Sequence, residues 1–177
     1  MFELVDENNK PTGKQEKRSV VHQKGLLHRS VHVLVFNFSG ELLIQKRAAG
    51  KDVQPGRWDI SCAEHVKPGE KYAEAGARGL KEELGIVVNA KQLRKWREPV
   101  LSKTDDDDKN VHDHEFVGAF KVNHGGDVQC DGTEVEETKW VSGAELLADT
   151  KANPDKYTTW CVAEMARVDD AGLLQAV

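Results

Sequence analysis

Residues 31–47 form the segment that most restricts the fold, because they contain two apolar runs separated by a turn. The first run reads VHVLVFNF, the turn is Ser39-Gly40, and the second run reads ELLIQKR. Apolar runs on both sides of a glycine-containing turn predict a β-hairpin. A helical segment, further strand-like stretches that begin with residues 86–88, and two C-terminal helical segments follow. This order predicts a mixed central sheet with helices on its faces, an α/β or α+β layered domain. Gly85 stands where a left-handed cap of the first helical segment is expected.

The helical segment spans residues 71–84 and carries an acidic pair, Glu82 and Glu83, near its end. Carboxylates that cannot move apart raise each other's pKa unless a cation neutralises them. A hard divalent ion with oxygen ligands, Mg²⁺ or Mn²⁺, is the simplest neutraliser. The alternative is a solvated acidic helix end. The apolar face of the helix is predicted from spacings of four, three and four at Ala73, Ala77, Leu80 and Leu84.

Residues 64–86 resemble the Nudix family, whose box reads G-x5-E-x7-R-E-U-x-E-E-x-G-U, where U is a bulky aliphatic residue. In the family this loop and helix bind divalent metals and the diphosphate of a nucleoside-diphosphate-linked or related substrate, and water attacks phosphorus. The resemblance implies a Nudix-fold α/β/α sandwich, Mg²⁺ or Mn²⁺ as cofactor, and Glu82 and Glu83 as metal ligands. Arg78 would hold Glu82 or a neighbouring carboxylate in place. The matching positions, without a gap, are Glu70, Arg78, Leu80, Glu82, Glu83, Gly85 and Ile86.

Two positions depart from the box. Glu64 replaces its glycine, and Gly79 replaces the glutamate that follows the arginine. In family hydrolases that glutamate contributes to metal binding or to activating the water. Gly79 and Gly76 each disfavour the helix by about 1 kcal/mol relative to alanine, which indicates that space is needed at these positions. We therefore expect Glu64 to enter the space over Gly79 and supply the missing oxygen ligand. The alternative is that hydrolysis is weak or absent.

A second resemblance extends outside the box. The stretches LLHRSVHVLVFNFSGELLIQKRA, KDVQPGRWDISCAEH and HDHEFVGAF are similar to the Nudix branch that contains the isopentenyl-diphosphate isomerases and their hydrolase relatives. In the type I isomerases, histidines and glutamates from three segments hold a metal. His28, His65 and Glu115 match those ligands. Asp113 stands where another glutamate would be, and His22 is one residue out of register with the remaining histidine.

The isomerase reaction also needs a cysteine facing a glutamate across the alkene. By the resemblance this cysteine falls at position 63, which is Ala63 here, and the adjacent Cys62 would point to the opposite face of an extended strand. The chain also keeps the complete Glu82 and Glu83 pair, which the isomerases lack. We therefore expect a metal-dependent diphosphate hydrolase. The alternatives are an isomerase-like enzyme and a non-catalytic diphosphate-binding module, which Gly79 supports.

A diphosphate substrate also requires cationic contacts. The candidates are Lys46, Arg47, Lys51 and Arg57. The arginines are favoured because guanidinium binds phosphate in a bidentate way. His32 is expected to be a packed or hydrogen-bonded residue of the sheet. The acidic run TDDDDKN, residues 104–110, is expected to be a solvated loop between two strands.

The chain length predicts a single domain, with an N-terminal strand and lead-in at 1–27, a core at 28–142 and C-terminal helices at 143–177. A net charge of −5 argues against nucleic-acid and membrane-surface binding, and the acidic N-terminus argues against a signal peptide. Three unpaired-looking cysteines fit a reducing cytoplasm. The expected partner is a small-molecule diphosphate. The family resemblance also implies a homodimer.

Overall fold

Nine strands and four helices form the fold, and the computed structural model describes residues 1–174 of the chain. The strands are β1 (Phe2–Val5), β2 (Pro11–Glu16), β3 (His28–Phe36), β4 (Leu42–Arg47), β5 (Trp58–Asp59), β6 (Cys62–His65), β7 (Arg94–Asp106), β8 (Val111–Asn123) and β9 (Val135–Val141). The helices are α1 (Arg18–Lys24), α2 (Tyr72–Leu84), α3 (Gly143–Ala152) and α4 (Thr159–Asp170). Within residues 1–174, none of these helices combines the length and apolar character that crossing a membrane would require.

Strand β3 organises the larger sheet, whose order is β5-β4-β3-β8-β7, with β6 also paired to β3 and β9 also paired to β4. β3 runs parallel to β8, from the His28↔Glu115 pair to the Phe36↔Asn123 pair. Its first half pairs with β6 and its last residue pairs with β4, at Phe36↔Leu42. The predicted hairpin is confirmed. Its two strands separate after the turn, and β6 takes the place beside the first half of β3.

Alternation along β3 separates two apolar clusters. Val31 and Val33 pack with Leu80 of α2, whereas Leu34 packs with Met165 of α4. Successive strand residues point to opposite faces, so α2 and α4 cover opposite sides of the sheet. This arrangement confirms the mixed sheet and the α/β/α sandwich.

Helix α2 packs very close to the sheet, and this is possible because two of the residues that face the sheet are glycines. A Cβ at Gly76 would lie 2.8 Å from a methyl carbon of Val33, and one at Gly79 would lie 2.7 Å from Cys62 Sγ. Both separations are too short for real side chains, so close helix–sheet packing offsets the lower helix propensity of glycine. Gly85 ends the helix with φ 66°, which confirms the predicted left-handed cap.

Two predicted segments differ from the structure. Residues 86–88 read as strand-like but are not in a strand, and Ile86 is buried against the α2 side of the core. The acidic loop is shorter than expected because β7 continues through Asp106. Asp105 stays in the strand because it faces His112 and His114 of β8, whose ring nitrogens lie 2.9 Å from its Oδ1.

Candidate active site and metal centre

A pocket of about 490 Å³ opens on the α4 side of the sheet, where β3, β6 and β8 meet the loop that follows β4. Its wall combines carboxylates, imidazoles and basic side chains. Glu64, His65 and Glu115 all line this pocket, as does Glu83 of α2. The structure therefore places these four expected metal ligands in the wall of one cavity.

At one end of this pocket five side chains converge, and they come from four different elements. The sheet register explains the convergence, since β3 and β8 place His28 opposite Glu115, and β3 and β6 place Ser30 opposite His65. Helix α1 lies against β8 and adds one more imidazole. We call this group the histidine centre, and its members are His22, His28, His65, Asp113 and Glu115.

The ligand atoms of the histidine centre lie close together. His28 Nε2 is 3.3 Å from Asp113 Oδ1 and 3.5 Å from Glu115 Oε1. His22 Nε2 is 3.5 Å from Asp113 Oδ1, and His65 Nε2 is 3.2 Å from Glu115 Oε1. One ligand atom from each member except Glu115 falls within a group whose atoms are all within 4.8 Å of one another.

These atoms are also short of partners. Within residues 1–174, Nε2 of each of the three histidines and Oδ1 of Asp113 are buried without a properly formed hydrogen bond. A buried polar atom without a partner is unfavourable, and a bound cation would satisfy all four at once. Three imidazoles with two carboxylates suit Mn²⁺ or Zn²⁺, and the carboxylates also suit Mg²⁺. The residues of the histidine centre therefore fit a divalent metal ion.

The surrounding groups orient the ligands. His28 Nδ1 lies 2.9 Å from the carbonyl oxygen of Leu26, which fixes that nitrogen as the N–H donor and leaves Nε2 free for a metal. The ring of Phe2 stacks on the rings of His28 and His65, with centroids 5.0 and 4.5 Å apart. The imidazoles are thus held in place by both polar and apolar contacts.

The pKa values of the members of the histidine centre shift in opposite directions. Burial disfavours the protonated form of His28, but the nearby carboxylates of Asp113 and Glu115 outweigh it and raise its pKa to about 10. Burial lowers the pKa of His22 to about 4. Against the effect of its own burial, His28 and His65 hold the pKa of Glu115 well below its usual range. In the metal-free protein a proton on His28 occupies the centre, so a metal ion must displace it.

A second group of carboxylates lies beside the histidine centre, on the α2 side. Glu83 is 7% exposed and accepts a hydrogen bond of 3.0 Å from Gln45 Nε2. Burial, reinforced by the charges of Glu64 and Glu134, raises the pKa of Glu83 to about 8. Glu83 thus lies in the pocket as a carboxyl that titrates near neutral pH.

The other member of the acidic pair is oriented differently. Glu82 has a side chain that is 55% exposed and does not line the pocket, and its carboxylate lies 3.3 Å from Arg78. Consecutive helix residues are separated by about 100°, so Glu82 and Glu83 point in different directions. Only Glu83 of the pair lines the pocket, and metal ligation by Glu82 and Glu83 stays a prediction.

Arg78 links the box residues. Its guanidinium donates to both carboxylate oxygens of Glu70 at 2.9 Å, to Glu64 at 2.7 Å and to the carbonyl of His65 at 2.8 Å. The predicted support by Arg78 is therefore present, although its shortest carboxylate contact is with Glu64 rather than with Glu82. Arg78 thereby links α2 to the end of β6, where Glu64 and His65 lie.

Glu64 occupies the space that Gly79 leaves open. A Cβ added to Gly79 would lie 3.0 Å from Glu64 Cβ and 3.2 Å from its Cγ. The Glu64 carboxylate lines the pocket while it accepts from Arg78 and from the backbone N–H of His65. The steric exchange expected from the sequence is present; metal ligation by Glu64 stays a prediction.

This exchange makes Gly79→Glu unfavourable in the present background. The new Cβ would overlap Cys62 and Glu64, so we expect a loss of about 1–3 kcal/mol in the free energy of unfolding. Glu64→Gly combined with Gly79→Glu restores both box residues and should recover part of that loss. Urea unfolding of the wild type, Glu64→Gly, Gly79→Glu and the double variant gives the coupling energy between the two sites, which we expect to exceed about 0.5 kcal/mol. Strict additivity of the two changes would contradict the packing described here.

The basic residues expected to bind phosphate are placed differently from one another. Arg47 lines the pocket, but its guanidinium donates to the carbonyl of Val53 and lies 3.4 Å from Asp59. Lys46 pairs with a glutamate of β9, and Arg57 donates to a backbone carbonyl, and neither lines the pocket. The structure therefore gives no support to phosphate contact by Lys46 or Arg57.

Three other basic side chains line the pocket instead. Arg18 of α1 pairs with Asp52, Lys51 pairs with Glu134, and Lys67 follows β6. Lys51 and Lys67 lie in connecting segments, and Arg18 begins α1, so their positions depend on the tertiary fold. Lys51 was among the basic residues expected near the site, whereas no local motif in the sequence identified Arg18 or Lys67.

The sequence identified His22 and Asp113 only as imperfect matches. His22 lies on α1, a helix that was not predicted from the sequence, and Gly25 ends this helix with φ 59°. The signal for the helix was the short stretch SVVHQKG with glycine at the left-handed cap position. The direction of the His22 side chain depends on this helix, so its place in the histidine centre does not follow from the pairing of strands.

Comparison with known proteins identifies the family of this chain. The sequence pattern of the NUDIX domain matches residues 26–161. The chain belongs to the NUDIX family. Among curated proteins it is 34% identical over 165 residues to isopentenyl-diphosphate Delta-isomerase 2 of Aromatoleum aromaticum, which covers 93% of this chain and 84% of that protein. It is 32% identical over 169 residues to the isopentenyl-diphosphate Delta-isomerase of Nocardia farcinica, which covers 96% and 94%. The similarity of this NUDIX protein to the isomerase-containing branch is thereby confirmed.

Solved structures confirm the NUDIX fold. DR0079 from Deinococcus radiodurans superposes with a TM-score of 0.73 at 22% identity, covering 94% of this chain and 97% of that one. The MutT protein from Methanosarcina mazei Go1 gives a TM-score of 0.64 at 22% identity, covering 81% and 94%. At this identity the likeness concerns the fold alone.

Proposed function

We propose that this NUDIX protein is a divalent-metal-dependent hydrolase of a small molecule linked through a diphosphate. The observation that carries the proposal is that His65, Asp113 and Glu115 of the histidine centre line one pocket with Glu83 and with basic side chains. The basic residues are Arg18, Lys51 and Lys67. Cationic side chains beside carboxylates and imidazoles are what a metal-bound diphosphate requires. A bound divalent metal would screen the diphosphate charge and polarise the P–O bonds.

The side chains of the chain supply the remaining steps. Arg18, Lys51 and Lys67 would bind the phosphate oxygens, and Arg78 keeps Glu64 and His65 in position. Glu83 is suited to accept a proton from the attacking water, because burial raises the pKa of Glu83 to about 8, near the operating pH of a general base. The water oxygen bonds to phosphorus, the bridging P–O bond breaks, and its electron pair leaves with the departing phosphate.

The second candidate is an isomerase-like enzyme. The three histidines and two carboxylates of the histidine centre favour it, because they correspond to the ligands that the isomerase resemblance implies. The relatives named as isopentenyl-diphosphate isomerases support it as well. Position 63 opposes it: Ala63 lines the pocket and has no titratable group. Cys62 is fully buried beside Gly79, and burial raises the pKa of its thiol well above the ordinary value.

The test is an assay of the purified protein with Mn²⁺ or Mg²⁺ on nucleoside diphosphate derivatives and on isopentenyl diphosphate. Phosphorus NMR follows phosphate release, and deuterium incorporation from D₂O follows double-bond migration. We expect release without migration. Migration without release would establish the isomerase, and binding without either reaction would establish a non-catalytic module. Ala63→Cys is the matched variant, because it alone adds a thiol to the pocket wall.

A further inference from the structure

Beside the histidine centre, the pocket wall contains a hydroxyl group that forms no hydrogen bond within the described part of the chain. Ser30 of β3 is 3% exposed and lines the pocket, and within residues 1–174 its Oγ has no hydrogen-bond partner. A buried hydroxyl normally forms a hydrogen bond, since leaving it unpaired is unfavourable. An unpaired hydroxyl in a pocket wall therefore points to a partner that arrives with a ligand.

Two residues further along the same face of β3, His32 also lines the pocket and is 3% exposed. Its Nδ1 lies 3.0 Å from Oε2 of Glu164, a fully buried residue of α4. Arg97 donates to both oxygens of Glu164, at 3.1 and 2.8 Å, and Arg167 lies 3.4 Å from it.

The tautomer of His32 follows from this network. Burial would raise the pKa of Glu164, but hydrogen bonds from His32 and Arg97 lower it to about 2, so the carboxylate is ionised and can only accept. Nδ1 of His32 therefore carries the hydrogen that it shares with Glu164. In the neutral ring Nε2 is left as an acceptor for the pocket that His32 lines.

Both side chains lie next to the place where a bound diphosphate would sit. Ser30 is paired across the strands with His65 of the histidine centre, and His32 is paired with Ala63. Directly opposed residues of antiparallel strands have Cβ atoms about 5 Å apart on the same face of the sheet. A molecule held at the histidine centre therefore has Ser30, His32 and the Ala63 methyl group beside it.

We propose that Ser30 and His32 select substrates whose organic group beyond the diphosphate bears hydroxyls, and that they disfavour hydrocarbon chains. The inference rests on the proposed diphosphate binding and deepens it. A hydroxyl can donate to Nε2 of His32 and exchange a hydrogen bond with Ser30, whereas a prenyl chain would leave both groups desolvated and unpaired. Sites built to hydrogen-bond a substrate hydroxyl reject analogues that lack it, by factors of about 10⁴ in favourable cases.

The experiment measures binding of two matched probes to the Mn²⁺-loaded protein by calorimetry. The probes are the 2,3-dihydroxypropyl and the isopentyl monoesters of methylenediphosphonate, which have organic groups of the same heavy-atom count and cannot be hydrolysed. We expect the wild type to bind the dihydroxypropyl probe at least about tenfold more tightly, a difference of about 1.4 kcal/mol. The adenosine ester is a third arm that distinguishes a nucleoside from a simple polyol as the source of the hydroxyls.

Ser30→Ala is the decisive variant, because the Ser30 hydroxyl makes no hydrogen bond within residues 1–174 that the fold would lose. We expect it to reduce the ratio of the two dissociation constants to about threefold or less. The melting temperature and the affinity for methylenediphosphonate itself should not change. His32→Asn, which keeps a donor for Glu164, should also reduce the ratio. A wild type that prefers the isopentyl probe, or a ratio that Ser30→Ala leaves unchanged, overturns the inference. If the protein prefers the dihydroxypropyl probe but shows no turnover, only the proposed hydrolysis is contradicted, and the inference about Ser30 and His32 stands.

Discussion

Asp113→Asn is expected to lower the affinity of the protein for Mn²⁺ by about 100-fold or more and to remove metal-dependent turnover. The exchange keeps the shape of the side chain but removes the charge that faces His22 and His28 at 3.5 and 3.3 Å. Removal of outer-shell partners of metal ligands already weakens binding by about 10- to 100-fold, so a direct ligand should cost at least as much. Calorimetric titration with Mn²⁺ measures the change.

Asp105→Asn is the matched control for this prediction. Asp105 also pairs with two histidines, His112 and His114, on the same β7–β8 ladder but outside the histidine centre. We expect this variant to bind Mn²⁺ as the wild type does. Equal losses of affinity in both variants would mean that Asp113 acts through the general charge of this ladder and not as a ligand.

Glu83→Gln is expected to reduce turnover by about 10² to 10⁴, the usual contribution of a general base. The same variant should stabilise the metal-free protein. The folded-state pKa of Glu83 is about 8, against an ordinary value of 4.5, so the folded wild type binds the proton more tightly than the unfolded chain. Its stability is then greatest below about pH 4.5 and falls as the pH rises toward 8.

The size of the stability change follows from the same shift. At pH 7 it is on the order of 3 kcal/mol in favour of Glu83→Gln, since each pKa unit corresponds to about 1.4 kcal/mol. Urea unfolding in EDTA at pH 5 and pH 8 should show a difference that grows with pH. The comparison variant is Glu82→Gln at the neighbouring exposed position, which we expect to keep both activity and pH dependence. Loss of turnover in Glu82→Gln would instead support the assignment made from the sequence.

The sheet and the central helix were predictable because their signals are local. The hairpin follows from apolar runs around Ser39-Gly40, and α2 follows from the spacing of its leucines and alanines and from its glycine cap at Gly85. The exchange between Glu64 and Gly79 was also predictable, because a large side chain gained and one lost in adjacent elements indicate shared space. The exchange takes place on the face of α2 that packs against the sheet, where a Cβ at Gly79 would also meet Cys62.

The site was less predictable because its members are distant in the sequence. His28 and Glu115 meet only through the parallel register of β3 and β8. Which residues of two strands face each other cannot be read from a single sequence. His22 and the pocket-lining Arg18 depend on a short helix, and Lys51 depends on a connecting loop. The resemblance to the isomerases supplied most of the histidine centre, whereas periodicity alone supplied none of it. The division of the chain into lead-in, core and C-terminal helices stays a prediction, as do the homodimer and the cytoplasmic location.

The most direct test of this account is an anomalous difference map from a crystal soaked in Mn²⁺ and recorded near the manganese absorption edge. The account predicts a peak between Nε2 of His22, His28 and His65 and the carboxylate of Asp113. A map with no peak at that position in a crystal known to contain manganese, or with a peak at Glu82 alone, would contradict it.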